Sequence, residues 1–308
     1  MKIYPKERYR ALNQAALNPS GDFVLYWMTA QRRPRWNHAL EHAADLANEL
    51  QKPLLVLEGL RSDYLHANRR HHSFVIDGMQ ANSRAFKETP AAYAPFIESE
   101  LGEGKGLIKA LSEQACTVVT DDHPGFFYPQ MRSAAATQCA VSFEAVDSCG
   151  LYPLYGTDRC FLRAYDFRRY LQKNLQGHLE LIPKESPIPS DLPELDLKTI
   201  SAFGHWKLAD ESLTEDRGAL LDRLPIDQSV RETSTPGGHD AGTAKLDHWI
   251  KEHLKTYKED RNHPDEDGTS KLSPYLHYGH LGAHQVFESI TRSEDWTPKR
   301  ISPVSKGA

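Results

Sequence analysis

Residues 116–124 read CTVVTDDHP, and this stretch decides the fold. Cys116–Thr120 is short, apolar and β-branched, which predicts a strand, and Asp121-Asp122-His123-Pro124 ends it. Proline restricts the residue before it and brings no N–H to a ladder, so the break has a physical cause. Before it, Gly106–Ala115 predicts a short helix. After it, Pro129–Gln138 predicts another, followed by a strand over Val141–Val146. The same alternation runs upstream. Phe23–Trp27 and Pro53–Leu57 read as strands, and Trp36–Leu50 and His72–Phe86 carry apolar residues at helical spacing. Strand and helix repeating in this way argue for an α/β fold with a parallel sheet covered on both faces.

Such sheets take ligands outside the carboxyl ends of their strands. The loops of interest therefore follow Trp27, follow Leu57, and span Asp121–Gly125. The dinucleotide fingerprint G-x-G-x-x-G is missing from them. Gly102, Gly104 and Gly106 follow an acidic stretch rather than a strand, and read as a helix-leading loop. Asp121-Asp122 suits either a polar ligand group or structural capping. Arg32, Arg33 and Arg35 beside Trp36 suit a solvated turn, an anion site or an inter-domain contact. His38, His71 and His72 read as surface or helix-pair contacts.

The chain has 308 residues, enough for two domains, and its balance of 39% hydrophobic and 26% charged residues describes a core-forming protein. No run approaches the roughly 18–20 apolar residues of a membrane span. The basic N-terminus lacks an apolar segment behind it, so no secretory signal and a cytoplasmic location are expected. Four cysteines without C-x-x-C spacing argue against a disulfide scaffold, and Cys116 is expected in the core. The net charge of −5 divides unevenly, +2 over residues 1–184 and −7 over 185–308, and excludes no class of partner.

Phe161–Leu175 predicts a basic, aromatic helix whose apolar members can face a core. From about 181 to 236 prolines and acidic residues accumulate, marking a long inter-domain linker. Helix resumes near Ala241 and runs through Leu246, Trp249 and Leu254 to Tyr257. The run Gly268–Leu281 holds Thr269, Ser270, Lys271 and Ser273. It reads equally as an anion-binding helix start or as a simple capped helix. His277, His280 and His284 share a face only if their helix is unbroken. Gly279 and Gly282 between them, with no interleaved carboxylate, argue against a metal site. A segment of about seventy residues from 237 onward is marginal by itself. Either it docks tightly on the first domain or the chain stops inside a larger one. G-x-S-x-G, H-E-x-x-H and Walker signatures are absent, which disfavours the hydrolases and phosphotransferases built on them.

Several stretches together resemble the class II cyclobutane pyrimidine dimer photolyases of the photolyase/cryptochrome superfamily. They include VLYWMTAQRRPRWNHAL at 24–40, KPLLVLEGLR at 52–61, RRHHSFVIDGMQANSRAF at 69–86 and VVTDDHPGFFYPQM at 118–131. AYDFRRYLQKNL at 164–175, YKEDRNHPDEDGTSKLSPYLHYGHLGAHQVF at 257–287 and WTPKR at 296–300 continue the series in the same order.

The resemblance implies a Rossmann-like, antenna-binding type α/β domain over 1–180, a linker over 181–236, and the first helices of an all-helical FAD-binding domain over 237–308. It implies light-dependent repair of cyclobutane pyrimidine dimers in DNA by electron transfer from reduced FAD, the cofactor carrying the difficult chemistry. Tyr257, Thr269, Ser270, Leu272 and Ser273 match the early flavin-diphosphate contacts. A deazaflavin-type antenna chromophore is held by some members. The catalytic residues fall in the part family members have beyond WTPKR, so a separately encoded C-terminal portion is a candidate partner. The alternatives are a chromophore-binding module without catalysis and a cryptochrome-like photosensory protein.

Overall fold

The computed structural model describes residues 6–210, 212–214 and 216–301, and expectations that touch 1–5 or 302–308 lie outside them. Six strands form one sheet: β1 (Tyr9–Ala11), β2 (Phe23–Met28), β3 (Leu54–Leu60), β4 (Ala92–Ile97), β5 (Ala115–Asp121) and β6 (Phe143–Val146). Their order is β1-β6-β5-β2-β3-β4. The short β1 pairs antiparallel with β6, and every other pairing is parallel. The parallel strands run outward in both directions from β2, the doubly wound, Rossmann-like arrangement, and its topological switch point falls between β2 and β5.

Alternate side chains of β2 enter opposite cores. Val24, Tyr26 and Met28 meet α1 (His38–Leu50) on one face, while Phe23, Leu25 and Trp27 face the other core with Leu107, Leu111 and Ala136. The last three belong to α3 (Leu107–Ser112) and α4 (Tyr128–Ala136). Both faces of the central strands are therefore dry, which is why they read as continuous apolar runs. Helix α1 begins later than its periodicity suggests. Trp36 is left-handed at φ 51, and Asn37 caps the helix by accepting from the N–H groups of Ala39 and Leu40.

Helix α2 (Arg69–Phe86) leads toward β4, while α5 (Ala164–Asn174) and α6 (Gln176–Leu179) follow the sheet. Contrary to expectation α5 buries no residue, and Leu162 just before it is 96% exposed. The connection from 181 to 236 wraps both faces of the sheet: Leu192 joins one core and Ile200 and Ala202 the other. Its helix α7 (Arg217–Arg223) packs Leu220 and Leu221 against Ile76 and Met79 of α2.

The remaining helices are α8 (His239–His253), α9 (Tyr257–Asp260), α10 (Ser273–His277) and α11 (Ala283–Ser293). The helix expected to continue to Tyr257 is broken after His253. The segment docks tightly on the α/β domain. Gly237 and Gly279 leave no room for a side chain there: a β-carbon would come within 1.9 Å of the Phe74 carbonyl oxygen and 2.0 Å of the Ala30 carbonyl oxygen, respectively. Buried Arg33 completes the joint by donating to the carbonyls of Trp36 (2.9 Å) and Gly279 (3.0 Å). Of the readings open for the arginine-rich turn, the inter-domain contact holds for Arg33. All four cysteines are free, and Cys116 is buried. Among the described residues no helix is long and apolar enough to cross a membrane.

Candidate functional site

At the switch point the chain fills its own anion cradle. The backbone N–H groups of Thr29, Ala30 and Gln31 converge on one oxygen of Asp121 at 2.8, 2.8 and 2.9 Å, and the Tyr26 hydroxyl donates to the other at 2.6 Å. Three successive N–H groups at a strand end are what a phosphate needs. Here a fully buried carboxylate occupies them. Asp122 is equally committed, to Arg132 at 2.6 Å and the Tyr155 hydroxyl at 3.1 Å. Structural capping is the reading that holds for this pair, and no dinucleotide cradle is open. The glycine run gives the same answer. Gly106 caps α3 with φ 89, and the Gly104 N–H is taken by Glu98.

The open space lies one strand over. Beyond the carboxyl ends of β2 and β3 is a cleft of about 710 Å³, within the usual range for a small-molecule site. Trp27, Gly59 and Leu60 form its floor. Tyr64 and His71 line one side, Phe126, Phe127 and Tyr128 another, and His277 and Tyr278 reach in from the helical segment. A second lobe of about 460 Å³ adjoins it across Trp27, Gly59, Arg61 and Met131. A β-carbon on Gly59 would meet nothing within 4 Å, so this strand position opens directly into the cleft.

The walls are aromatic and carry little net charge. Tyr64 stacks on His72 (5.8 Å, 14°) and leans on Phe127 (5.5 Å). Burial pushes the Tyr64 hydroxyl up to about 12 and raises Tyr128 and Tyr278, while it lowers His71. All four are therefore neutral near pH 7. Burial works against the Arg32 charge, but Glu58 at 3.0 Å outweighs it and holds the guanidinium charged. Glu58 also accepts from Asn82 (2.8 Å) and the Tyr93 hydroxyl (2.6 Å), and Arg32 donates onward to the Gly59 carbonyl (2.8 Å). At the rim Arg61 pairs with Asp63 at 2.6 Å and lies 5.7 Å from the Phe127 ring centre. Such a site favours a planar, largely uncharged aromatic ligand.

The residues matched to flavin contacts lie elsewhere, on the helical segment. Tyr257 meets Trp249 edge-on at 5.0 Å, and Leu272 is buried in the same apolar cluster. Thr269 and Ser273 are exposed, Ser270 is half-buried, and Lys271 between them is left-handed at φ 55 and paired with Asp267 at 2.6 Å. Leu272 and Tyr257 thus anchor a loop that turns its hydroxyls outward.

The three histidines do not share a face. α10 ends at His277, Gly279 is left-handed at φ 70, and α11 starts at Ala283. His277 lines the cleft; His280 is buried against Phe74, and His284 lies 3.3 Å from Arg8. No group of three or more potential metal ligands occurs among the described residues. His38 and His72, read as surface or helix-pair contacts, are buried. The sequence located the cleft's loops but not its walls. The signal was Phe126-Phe127-Tyr128 just after Pro124-Gly125, three rings where a solvated loop would carry none.

No family model matches the chain. A deoxyribodipyrimidine photo-lyase of Methanothermobacter thermautotrophicus is 27% identical over 277 residues, covering 89% of this chain and 57% of the relative. Photo-lyases of Arabidopsis thaliana and Potorous tridactylus are 26% and 24% identical, covering 98% and 97% of this chain and 58% and 54% of theirs. The chain thus spans little more than half the length of the curated relatives it matches. A class III photolyase from Agrobacterium tumefaciens shares the fold with a TM-score of 0.59 at 18% identity, over 92% of this chain and 55% of its own. An archaeal photolyase from Sulfolobus tokodaii, whose structure holds two FAD molecules, gives 0.55 at 12%, over 88% and 55%. With the sheet order, the docked helical segment and these collinear relatives, the chain is a member of the photolyase/cryptochrome superfamily, over the N-terminal part of such a protein.

Proposed function

We propose that this chain is the light-gathering front of a class II cyclobutane pyrimidine dimer photolyase, working on DNA in the cytoplasm. The observation that carries the reading is the aromatic cleft floored by Gly59, which suits a planar chromophore of the deazaflavin type. Rings of Tyr64, Tyr128 and Tyr278 supply stacking surfaces, and neutral hydroxyls supply orienting hydrogen bonds. FAD, when bound and reduced, supplies the electron that splits the cyclobutane ring. Tyr257, Thr269, Ser270, Leu272 and Ser273 are the residues that would hold its diphosphate. The outward hydroxyls of a loop anchored by Leu272 fit that task, and the exposed Lys271–Asp267 pair is weak enough to open toward an anion. The division at 180 and 236 follows from the same reading, as does a separately encoded C-terminal portion as partner.

The near-UV and visible absorption spectrum of the purified chain, with released chromophore quantified, tests the cleft. A β-carbon at Gly59 meets no neighbour and points into the cleft, so Gly59→Leu should fold, occupy the chromophore's space and lose the bound chromophore. Equal occupancy in both proteins would remove the reading. Light-dependent loss of dimers from irradiated oligothymidylate, with FAD supplied, tests repair. Chromophore binding without FAD would favour the non-catalytic module, and flavin binding without dimer loss the photosensory protein.

A further inference from the structure

Phe126 stands at the mouth of the cleft in a conformation the free chain has no reason to prefer. Its φ is 57, the left-handed region that a bulky side chain adopts only at a cost. The residue is 66% exposed although it lines the cavity. The adjacent Gly125 could have taken the left-handed turn without strain, yet Phe126 takes it. Only loose ring contacts hold it, edge-on to His277 at 5.5 Å and near the face of His123 at 6.2 Å. Phe127, by contrast, is fixed between Tyr64 (5.5 Å) and Tyr128 (4.8 Å) in the wall. Backbone strain and an uncovered apolar ring are two separate penalties, and intrachain packing compensates neither. A flat ligand beneath the ring would compensate both, and strain of this kind gathers at ligand clamps.

We propose that Phe126 is the closing ring of the cleft, covering the outer face of a planar aromatic ligand whose inner face lies on the wall of Tyr64, Phe127 and Tyr128. The proposal rests on the cleft being a chromophore site. It adds that one residue separates bound ligand from solvent, and that the ligand is thin enough to lie between two aromatic layers. Because His277 abuts Phe126, the closing ring also reports to the helical segment.

Riboflavin serves as the planar probe, since its own fluorescence reports both binding and access to iodide. Phe126→Gly relieves the backbone strain and removes the ring, whereas Phe126→Ala removes the ring alone. Both should weaken riboflavin binding by roughly tenfold and expose the bound dye to iodide quenching, with Phe126→Tyr restoring both. Without ligand, Phe126→Gly should raise the melting temperature and Phe126→Ala should not. If wild type and Phe126→Gly bind riboflavin alike, with equal shielding from iodide, the closing ring is overturned and the cleft stands. Failure of the wild type to bind riboflavin overturns the cleft and the closing ring together. A Phe126→Gly variant that melts lower than wild type overturns the strain argument without reference to any ligand.

Discussion

The imidazole of His280 lies against the bare Cα of Gly78, so close that a β-carbon there would come within 2.3 Å of its Nε2. The ring also stacks on Phe74 at 4.9 Å and accepts from the Gly238 N–H at 2.9 Å through Nδ1. Gly78 sits inside helix α2, where propensity alone favours alanine by about 1 kcal/mol. Steric exclusion reverses that sign. Gly78→Ala should destabilise the chain by about 2 kcal/mol in urea unfolding. Gly177→Ala, in α6 with nothing within 4 Å, should not.

Acid should loosen the same joint. Burial, followed by the nearby charges of Arg32, His239 and Arg33, holds His280 down to about 3, and burial with Arg8 and Arg33 does the same to His284. Both values lie below the unfolded histidine value of about 6.5, so the unfolded chain binds more protons between those limits. Stability is whole above pH 6.5 and is lost as pH falls through that window, by up to about 1.4 kcal/mol per pH unit for each histidine. Asp147 and Asp210, raised by burial, act in the opposite sense, while His72, held down to about 4 by burial, adds to the loss. Urea midpoints measured from about pH 7 to pH 4 should fall steadily. A flat profile would contradict the buried, neutral state of these rings.

The cradle at the switch point should reopen when its carboxylate is removed. Asp121→Asn, which keeps the shape but not the charge, should cost about 1.5–3 kcal/mol. Asp121→Gly empties the space beside the N–H groups of Thr29, Ala30 and Gln31. Inorganic sulfate should then raise the melting temperature of Asp121→Gly more than that of the wild type. Equal shifts would show that the three N–H groups do not form an anion site.

Arg33→Lys should separate the two parts of the molecule without unfolding the sheet. A lysine ammonium cannot reproduce the planar fork that spans the Trp36 and Gly279 carbonyls. Burial has already pulled the Arg33 value down to about 10, so a lysine in its place would tend to lose its charge. Hydrogen exchange should quicken in α8 and α11 while β2 and β5 stay protected. Uniform loss of protection would mean that the helical segment and the sheet unfold as one unit.

The strands buried on both faces were readable because each holds an unbroken apolar run: β2 (Phe23–Met28), β3 (Leu54–Leu60) and β5 (Ala115–Asp121) lie within a few residues of their predicted bounds. β4 escaped notice because Pro95 sits inside AYAPFI, and proline argues against a central strand. β4 is an edge strand, where that rule relaxes. The three-residue β1 carries too few residues for any period. Helix α5 was legible as a helix, but amphipathic spacing does not tell which apolar faces reach a core, and this one meets only the loop around Tyr152, Gly156 and Phe161 and buries nothing. For the site, the three loops were legible from the strand ends alone. The choice between them was not, because it depends on Asp121 closing one gap and Gly59 leaving the next open.

Pro95 has a consequence of another kind. Within a strand a residue's N and C=O point to the same side, and the Pro95 carbonyl faces away from β3, accepting from the Ala209 N–H at 2.8 Å. The position that lacks a donor is thus on the outer rim of β4, and its acceptor is already covered by the chain's own connection. The opposite rim is the three-residue β1. Neither border offers a long row of free backbone groups to a stray strand, so the sheet resists edge-to-edge aggregation without help from oligomer formation.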